Sequence, residues 1–298
     1  MKVIIFGKDG QLGQSIFNYI SDDFEVYAFN RNEADITNHE IIRRIIFSKK
    51  PNIIINCAAY TNVDGAEDNK DVAYSVNGYS LGNIGEAAKN INATVIHFST
   101  DYVFDGKKSI PYTEKDTVNP INEYGKSKLL GENLLLKTNQ KSLIFRISWV
   151  HSRDGKNFLS KILELSRQEK ELKIVNDQIG SPITSSLISC LIKNVILKTL
   201  IDSKEPFKGY GLYNLAPSGK VTWYEFTVFI QKMTNDGMLN FPSIRKTKLI
   251  PVASNDFVTK ASRPKYSLLD ASKFSRSFNV TLPSWQKGII REYGNKNE

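Results

Sequence analysis

Apolar and polar positions in the first half of the chain alternate between two rhythms. Short runs that are apolar almost throughout occupy Lys2–Phe6, Glu25–Phe29, Asn52–Asn56, Thr94–Ser99 and Leu143–Ser148. Between them, Gln11–Ile20, His39–Lys49, Val72–Lys89 and Tyr124–Lys137 carry their apolar residues at helical spacing. The first kind predicts strands covered on both faces, and the second predicts the amphipathic helices that cover them. Such alternation predicts an α/β fold built on a doubly wound parallel sheet with right-handed crossovers.

After Val150 the rhythm changes. Helices are predicted at Asn157–Glu169, Ser185–Leu200 and Thr222–Met233, and strands at Leu172–Val175 and Leu212–Leu215, joined by longer loops richer in Pro, Ser and Asn. This part predicts a smaller α/β substrate-binding lobe that returns once to extend the sheet. The expected division assigns residues 1–150, with about 183–205, to a nucleotide-binding domain, and about 151–182 and 206–298 to the lobe. There is no internal repeat and no low-complexity segment.

Composition narrows the function classes. With 298 residues, 41% of them hydrophobic and 24% charged, the chain can bury a real core. No apolar run approaches the roughly 18 residues needed to span a bilayer, and a strand starting at Lys2 leaves no room for a cleaved leader. The expectation is a cytoplasmic protein with no membrane partner. Cys57 and Cys190 lie in apolar stretches and read as small core residues rather than a disulfide framework. His39, His97 and His151 lack ligand spacing, so no metal is expected. The net charge of +9 is dispersed and comes with no nucleic-acid-binding signature. It reads as a field that attracts anionic cofactors and substrates, with no nucleic acid as partner.

The first chemical signal is Gly7-Lys8-Asp9-Gly10-Gln11-Leu12-Gly13, between the first strand and the first helix. Glycines there permit a tight turn, close approach of backbone to pyrophosphate and close helix–strand packing. The helix N-terminus supplies free N–H groups to the phosphates. A Rossmann-type dinucleotide site is predicted, although the spacing is Gly-x-x-Gly-x-x-Gly. The second strand ends in Arg31, where an acidic residue would select NAD. A guanidinium suits the 2′-phosphate of NADPH, with NADH the other candidate; the bland alternative is a solvated loop arginine. In Asp35-Ile36-Thr37, the Asp35 carboxylate either accepts from adenine or caps the next helix, a place for which Asn38 competes.

The second signal is Tyr124-Gly125-Lys126-Ser127-Lys128 on a predicted helix. Residues four apart share a helix face, so the phenol and the ammonium can enter one site. The cation is expected to lower the phenol pKa toward a useful range, and the lysine can also hold the nicotinamide ribose. Thr100, at the end of the fourth strand in Ser99-Thr100-Asp101, can donate to a substrate carbonyl, and strand carboxyl ends are where such sheets bind ligands. Asp101 orients a loop or the substrate, or is a plain turn residue.

Together these residues identify the chain as similar to the extended short-chain dehydrogenase/reductases. A finer resemblance rests on Phe6–Gly13, Asn56–Glu67, Ser99–Gly106, Arg146–Val150, Asn176–Pro182 and Arg263-Pro264. These segments look like those of the dTDP-4-dehydrorhamnose reductase family, from Met1 to about Ile290. The resemblance implies reduction of the 4-keto group of a dTDP-linked 6-deoxysugar to dTDP-L-rhamnose. Nicotinamide would give hydride to carbon 4, Tyr124 a proton to the oxygen, and Thr100 would polarise the ketone. It places Ala58, Ala59 and Tyr60 against the cofactor with Ser99, and Asn77 near the nicotinamide end. Thr61, Val63, Tyr102 and Trp149 fall at sugar-site positions, and Asn176, Gln178 and Arg263 at the diphosphate end. Trp149 as simple core is the bland alternative.

Two departures stand out. Ile183 occupies a place where the family has Thr, with Thr184 one residue later. Ser15 and Ser186 occupy positions where some members carry magnesium-bridging glutamates. A hydroxyl is a poor ligand for that hard cation, so a monomer or a weak homodimer without bridging magnesium is expected. A reductase forming another dTDP-deoxysugar, of 6-deoxytalose or fucose type, would share the same motifs. So would a non-catalytic nucleotide-binding regulatory subunit.

Overall fold

A computed structural model describes residues 1–202 and 207–294; the domain edge expected near residue 205 and the last four residues lie outside the described residues. The first half contains β1 (Lys2–Phe6), α1 (Gln11–Ile20), β2 (Glu25–Phe29), α2 (His39–Lys49), β3 (Ile53–Asn56), α3 (Val63–Asp68), α4 (Lys70–Tyr74), α5 (Ser80–Asn90), β4 (Thr94–Thr100), α6 (Glu123–Thr138) and β5 (Ser142–Ile147). The second half contains β6 (Val150–His151), α7 (Phe158–Leu165), β7 (Glu171–Val175), β8 (Ile179–Gly180), β9 (Ile183–Thr184), α8 (Ser185–Leu191) and α9 (Lys198–Asp202). It closes with β10 (Gly211–Asn214), β11 (Val221–Thr222), α10 (Trp223–Asn235), β12 (Lys248–Val252), α11 (Ser272–Ser277) and α12 (Trp285–Tyr293).

Six strands form one parallel sheet in the order β10-β5-β4-β3-β1-β2. The chain therefore steps outward from β1 to β2, then crosses back to β3 and on to β10, which makes the sheet doubly wound. β10 is the expected return of the second half to the sheet. Every residue of β3, β4 and β5 is buried, which is why these runs read as unbroken apolar stretches. One face packs on α1 and on the helical segment from α8, through Ile16, Ile188, Ile192 and Ile196. The other packs on α2, α5 and α6, through Ile42, Ile46, Ile84 and Leu135.

Local chemistry explains the boundaries. Asn38 caps α2 by accepting from the Ile41 N–H, a contact worth about 1 kcal/mol. Asp35 instead accepts from the Thr37 N–H and hydroxyl, so of the two competing caps Asn38 is the one used. The single helix expected over Val72–Lys89 is divided by a π-helical turn at Ser75–Tyr79. Packing against α6 accounts for it: a Cβ at Gly131 would lie 2.0 Å from the Asn77 carbonyl oxygen, and one at Gly78 would lie 2.7 Å from Leu130. A second π-helical turn, Ile192–Leu197, interrupts the helix expected over Ser185–Leu200.

The second half builds its own core from Leu159, Ile174, Phe226, Ile230, Trp285 and Ile289. Apart from β10, its strands form small two-stranded sheets, β7 with β12, β6 with β9, and β8 with β11. Asn157 closes a capping box on α7, and Thr222 with Glu225 closes another on α10. No helix among the described residues is long and apolar enough to cross a membrane.

Candidate active site

The carboxyl ends of β1, β3, β4 and β5 open into a cleft of about 1060 Å³ that the second half covers. The strand register sets its floor, since Phe6 pairs with Asn56, Asn56 with His97, and Thr100 with Ile147. Chain leaving each strand there supplies one wall: the Gly7–Leu12 turn, Ala58–Thr61, Thr100–Tyr102 and Trp149.

The turn after β1 has the geometry its glycines demand. Gly7 has φ +81°, and a Cβ there would lie 2.6 Å from the Ala58 backbone nitrogen. At Gly13 a Cβ would lie 2.1 Å from the Gly7 carbonyl oxygen. Gly13 is thus buried packing, outside the cleft, and lets α1 settle on the turn. Gly10 is different, because its nearest neighbour to a Cβ is 3.4 Å away. Gly10 is the N-cap of α1 and provides no side-chain cap, and no acidic residue occupies the first turn. The helix end thus keeps its donors and its positive dipole for an anion, which suits a dinucleotide pyrophosphate. Gln11 reaches the other way, donating to the Val150 carbonyl at 3.2 Å and accepting from the Ser152 hydroxyl at 3.1 Å.

At the far end of the turn Arg31, exposed, pairs with Asp35 at 3.4 Å, and both line the cleft with Asp9 and Ile36. On the opposite side Ala58, Ala59 and Tyr60 line it with Ser99. Asn77 stands behind this wall, 1% exposed, and does not line the cleft. It accepts from the Tyr60 N–H at 2.9 Å and donates to the Tyr60 carbonyl at 3.0 Å and to Ser127 at 3.0 Å. It shapes the wall rather than facing the cleft itself.

The reacting end is formed by α6. Asn122 caps this helix through the Gly125 N–H at 2.7 Å. A Cβ at Gly125 would lie 2.2 Å from the Tyr102 carbonyl oxygen, so glycine lets the first turn press against the strand end. Tyr124, Lys128, Thr100 and Asp101 all reach the cleft. The phenol of Tyr124 does not show the depressed pKa expected from the Tyr–Lys spacing. It is pushed up to about 12, by burial first and then by the Asp101 charge, with a hydrogen bond from Thr100 acting against them. Lys128, on the same cleft wall, is engaged by the strand instead, donating to the Phe98 carbonyl at 2.6 Å and lying 3.1 Å from His97 Nε2. Burial pushes Lys128 down to about 8. Asp101, 2% exposed, is pushed up to about 7 by burial.

Beyond the reacting end, Trp149, Tyr102, Thr61, Val63 and Arg263 line the cleft. Trp149 has φ +47° and stacks on Trp223 with centroids 3.4 Å apart. A positive φ at a bulky residue is strained backbone held by its surroundings. Arg263 is engaged at two points by Asp64, at 2.8 and 3.2 Å, and holds that carboxyl below its usual range. Asn176 and Gln178 stand outside the cleft lining: Asn176 accepts from Thr222 at 2.7 Å, and Gln178 donates to Ser254 at 3.0 Å. Ile183 is buried beside the Trp149 carbonyl, to which its N–H donates at 3.2 Å, while Thr184 caps α8.

Sequence reasoning missed Trp223, the loop residues Asp154 and Lys156, and the buried pair Glu132–Arg146 beneath α6. An aromatic at the start of a helix and a charge within an apolar strand are weak signals, because their partners Trp149 and Glu132 lie on other elements.

A doubly wound sheet with an uncapped glycine turn after β1 and a Tyr–Lys pair at the strand ends defines a Rossmann-type oxidoreductase of the dinucleotide-binding class. The family model described as "RmlD substrate binding domain" matches residues 1–295. A dTDP-4-dehydrorhamnose reductase of Aggregatibacter actinomycetemcomitans is 39% identical over 298 residues, covering 98% of this chain and 99% of that protein. Crystal structures of dTDP-4-dehydrorhamnose reductases from Clostridium acetobutylicum and, in complex with NADP, from Bacillus anthracis are 34% and 32% identical. Each has a TM-score of 0.88 and covers 98% of both chains. The chain belongs to this RmlD family of dTDP-4-dehydrorhamnose reductases.

Proposed function

We propose that the chain reduces the 4-keto group of dTDP-4-dehydro-β-L-rhamnose to give dTDP-L-rhamnose with NADPH, a precursor step for deoxysugar-containing polysaccharide. The observation that carries this reading is the meeting of Tyr124, Thr100 and Lys128 in one cleft with the open end of α1, in a chain of this family.

A bound nicotinamide dinucleotide supplies the hydride. Gln11 and Leu12, at the open end of α1, hold its pyrophosphate by backbone N–H groups, Gly7 and Gly10 let the phosphates approach the backbone closely, and Arg31 meets the 2′-phosphate. Asp9, Asp35 and Ile36 border the adenosine end. Thr100 donates a hydrogen bond to the ketone oxygen, and Tyr124 delivers the proton that oxygen needs once hydride reaches carbon 4. Lys128 holds the ribose and, as a cation turned toward the phenol, stabilises the phenolate left behind. Thr61, Val63, Tyr102 and Trp149 bound the sugar, and Asp101 orients it. Arg263, already paired with Asp64, offers its remaining donor edge to the diphosphate. Asn176 and Gln178 support that end from behind.

We assign residues 1–150 and about 183–205 to the cofactor domain, and about 151–182 and 206–298 to the substrate lobe. Ser15 is engaged within its own chain, accepting from Ser189 at 2.8 Å, and offers no carboxylate to magnesium; we propose a monomer or weak homodimer without that bridge. The unpaired thiols of Cys57 and Cys190 suit the reducing cytoplasm, where we place it.

The test is to supply the 4-keto sugar nucleotide with NADPH or NADH, follow cofactor oxidation and read product stereochemistry by NMR. dTDP-L-rhamnose is expected, with kcat reduced about 100-fold or more in Tyr124→Phe. A different epimer would change the substrate assignment, and cofactor binding without turnover would overturn the reaction in favour of a regulatory subunit.

A further inference from the structure

One polar chain leaves the cleft and runs back into the sheet. β3 and β4 set Asn56 opposite His97, and the two residues are 0% and 1% exposed. The Ala58 N–H lies 3.2 Å from Asn56 Oδ1. A backbone N–H can only donate, so the amide atom it faces is the oxygen. The amide nitrogen Nδ2 then faces His97 Nδ1 at 3.2 Å, and Nδ1 must accept. Burial above all keeps the His97 ring neutral, against a weaker pull toward the charged ring from the Asn56 backbone. A neutral imidazole that accepts at Nδ1 carries its proton on Nε2. That nitrogen lies 3.1 Å from Lys128 Nζ.

An Nε2–H facing an ammonium sets donor against donor. Facing an amine, it donates to the lone pair. The other contact of Nζ, to the Phe98 carbonyl at 2.6 Å, suits either form. We infer that His97 is a positioning residue, locked by Asn56 in the Nε2–H tautomer, and that it stabilises the uncharged form of Lys128 in the free protein.

Other groups face Lys128. Cys57 lies at the end of β3, and Glu132 is one turn further along α6; both favour the charged form, against the larger effect of burial. Glu132 is itself matched by Arg146 from β5 and by the Ser99 hydroxyl from β4. Tyr124 lies one turn earlier on α6. Within this set His97 is the neutral group whose donor points at Nζ. It therefore adds to burial in lowering the pH below which Lys128 becomes a cation, and so bears on the range in which Lys128 can stabilise a Tyr124 phenolate.

That last consequence rests on the proposed reaction. The tautomer does not, so the experiment uses the free protein and needs no turnover. In protein labelled with 15N-histidine, His97 is expected to report the Nε2–H tautomer. His151 is an internal contrast, because its Nδ1 lies 2.6 Å from the Trp149 carbonyl and must carry the proton there. Finding Nδ1–H or a charged ring on His97 near neutrality would overturn the inference, whatever any variant does. In protein labelled with 13C-lysine, Lys128 is assigned by its loss in Lys128→Arg. It should give up its proton at a lower pH than exposed lysines, and His97→Phe should move that titration up by about one pH unit. His97→Gln, whose amide also donates from Nε2, should keep it near the original position. Equal movement in both variants, or none in either, would show that the donor at His97 is not the cause.

Discussion

Glu132 and Arg146 are joined at two points inside the protein, Nε to Oε1 at 2.9 Å and Nη2 to Oε2 at 2.7 Å, with side chains only 2% and 4% exposed. The pair fastens α6, which carries Tyr124 and Lys128, to the neighbouring strand β5. Ser99 donates to the same carboxylate at 2.5 Å, so β4 is tied in as well. Removing one partner leaves a buried charge uncompensated. Arg146→Met or Glu132→Leu alone should cost about 3–5 kcal/mol in urea unfolding, whereas the double substitution should recover much of that loss. Equal losses in the single and double variants would show that the charges are not coupled.

The two glycines of the turn should separate folding from binding. Gly13→Ala places a methyl 2.1 Å from the Gly7 carbonyl oxygen, so both the melting temperature and NADPH affinity should fall. Gly10→Ala meets nothing closer than 3.4 Å. Its melting temperature should stay within a few degrees of the parent while NADPH affinity, measured by fluorescence titration, drops about 10-fold or more, because the methyl occupies the approach of the phosphates.

Arg31 is exposed and its pair with Asp35, at 3.4 Å, is weak. The pair should yield readily to a 2′-phosphate, to which a guanidinium bond is worth roughly 1.5–3 kcal/mol. Arg31→Ala should therefore raise the Kd for NADPH by about 10-fold or more and leave that for NADH nearly unchanged. Equal effects on the two cofactors would assign Arg31 a general electrostatic role.

Asp101 should make stability depend on pH with a definite sign. Burial raises its pKa to about 7 in the folded protein, against 3.8 when unperturbed. Between those values the folded state holds a proton that the unfolded state has lost, so stability falls as pH rises. Its contribution is complete below about pH 4, declines across the window and levels off above about pH 7. Melting curves of the parent and Asp101→Asn should diverge in the variant's favour over that window. A constant difference would mean that Asp101 is already ionised in the folded protein.

The legibility of this protein in its sequence follows the range of the interactions. The strands of the first half and the Gly7–Gly13 turn rest on neighbours within a few positions, and their outlines were readable. So was the Tyr124–Lys128 pair, since helical spacing alone puts both on one face. The tertiary arrangement decided which way each group points. Lys128 turns to His97 and Phe98, which come from another strand, and the phenol of Tyr124 is raised instead of lowered. Asn77, on a helix read as continuous, sits in a π-helical turn because α6 presses against it through Gly131.

The second half shows the limit more plainly. Three of its helices and β7 were visible from their periodicity, but α11, α12 and β12 were not; β12 lacks the alternation of β7, and that partner is more than seventy residues away. Asn176 and Gln178 stand in a motif that looked like one binding unit, yet their side chains meet Thr222 and Ser254 behind the cleft. The sequence by itself determined the strands of the first half, the Gly7–Gly13 turn and the Tyr124–Lys128 spacing, because backbone propensity and short spacing are local properties. Only the tertiary structure decided the stacking of Trp149 on Trp223, the burial of Glu132 with Arg146 and the Asn56–His97–Lys128 chain. Each depends on segments brought together by packing, and no local pattern carries that information.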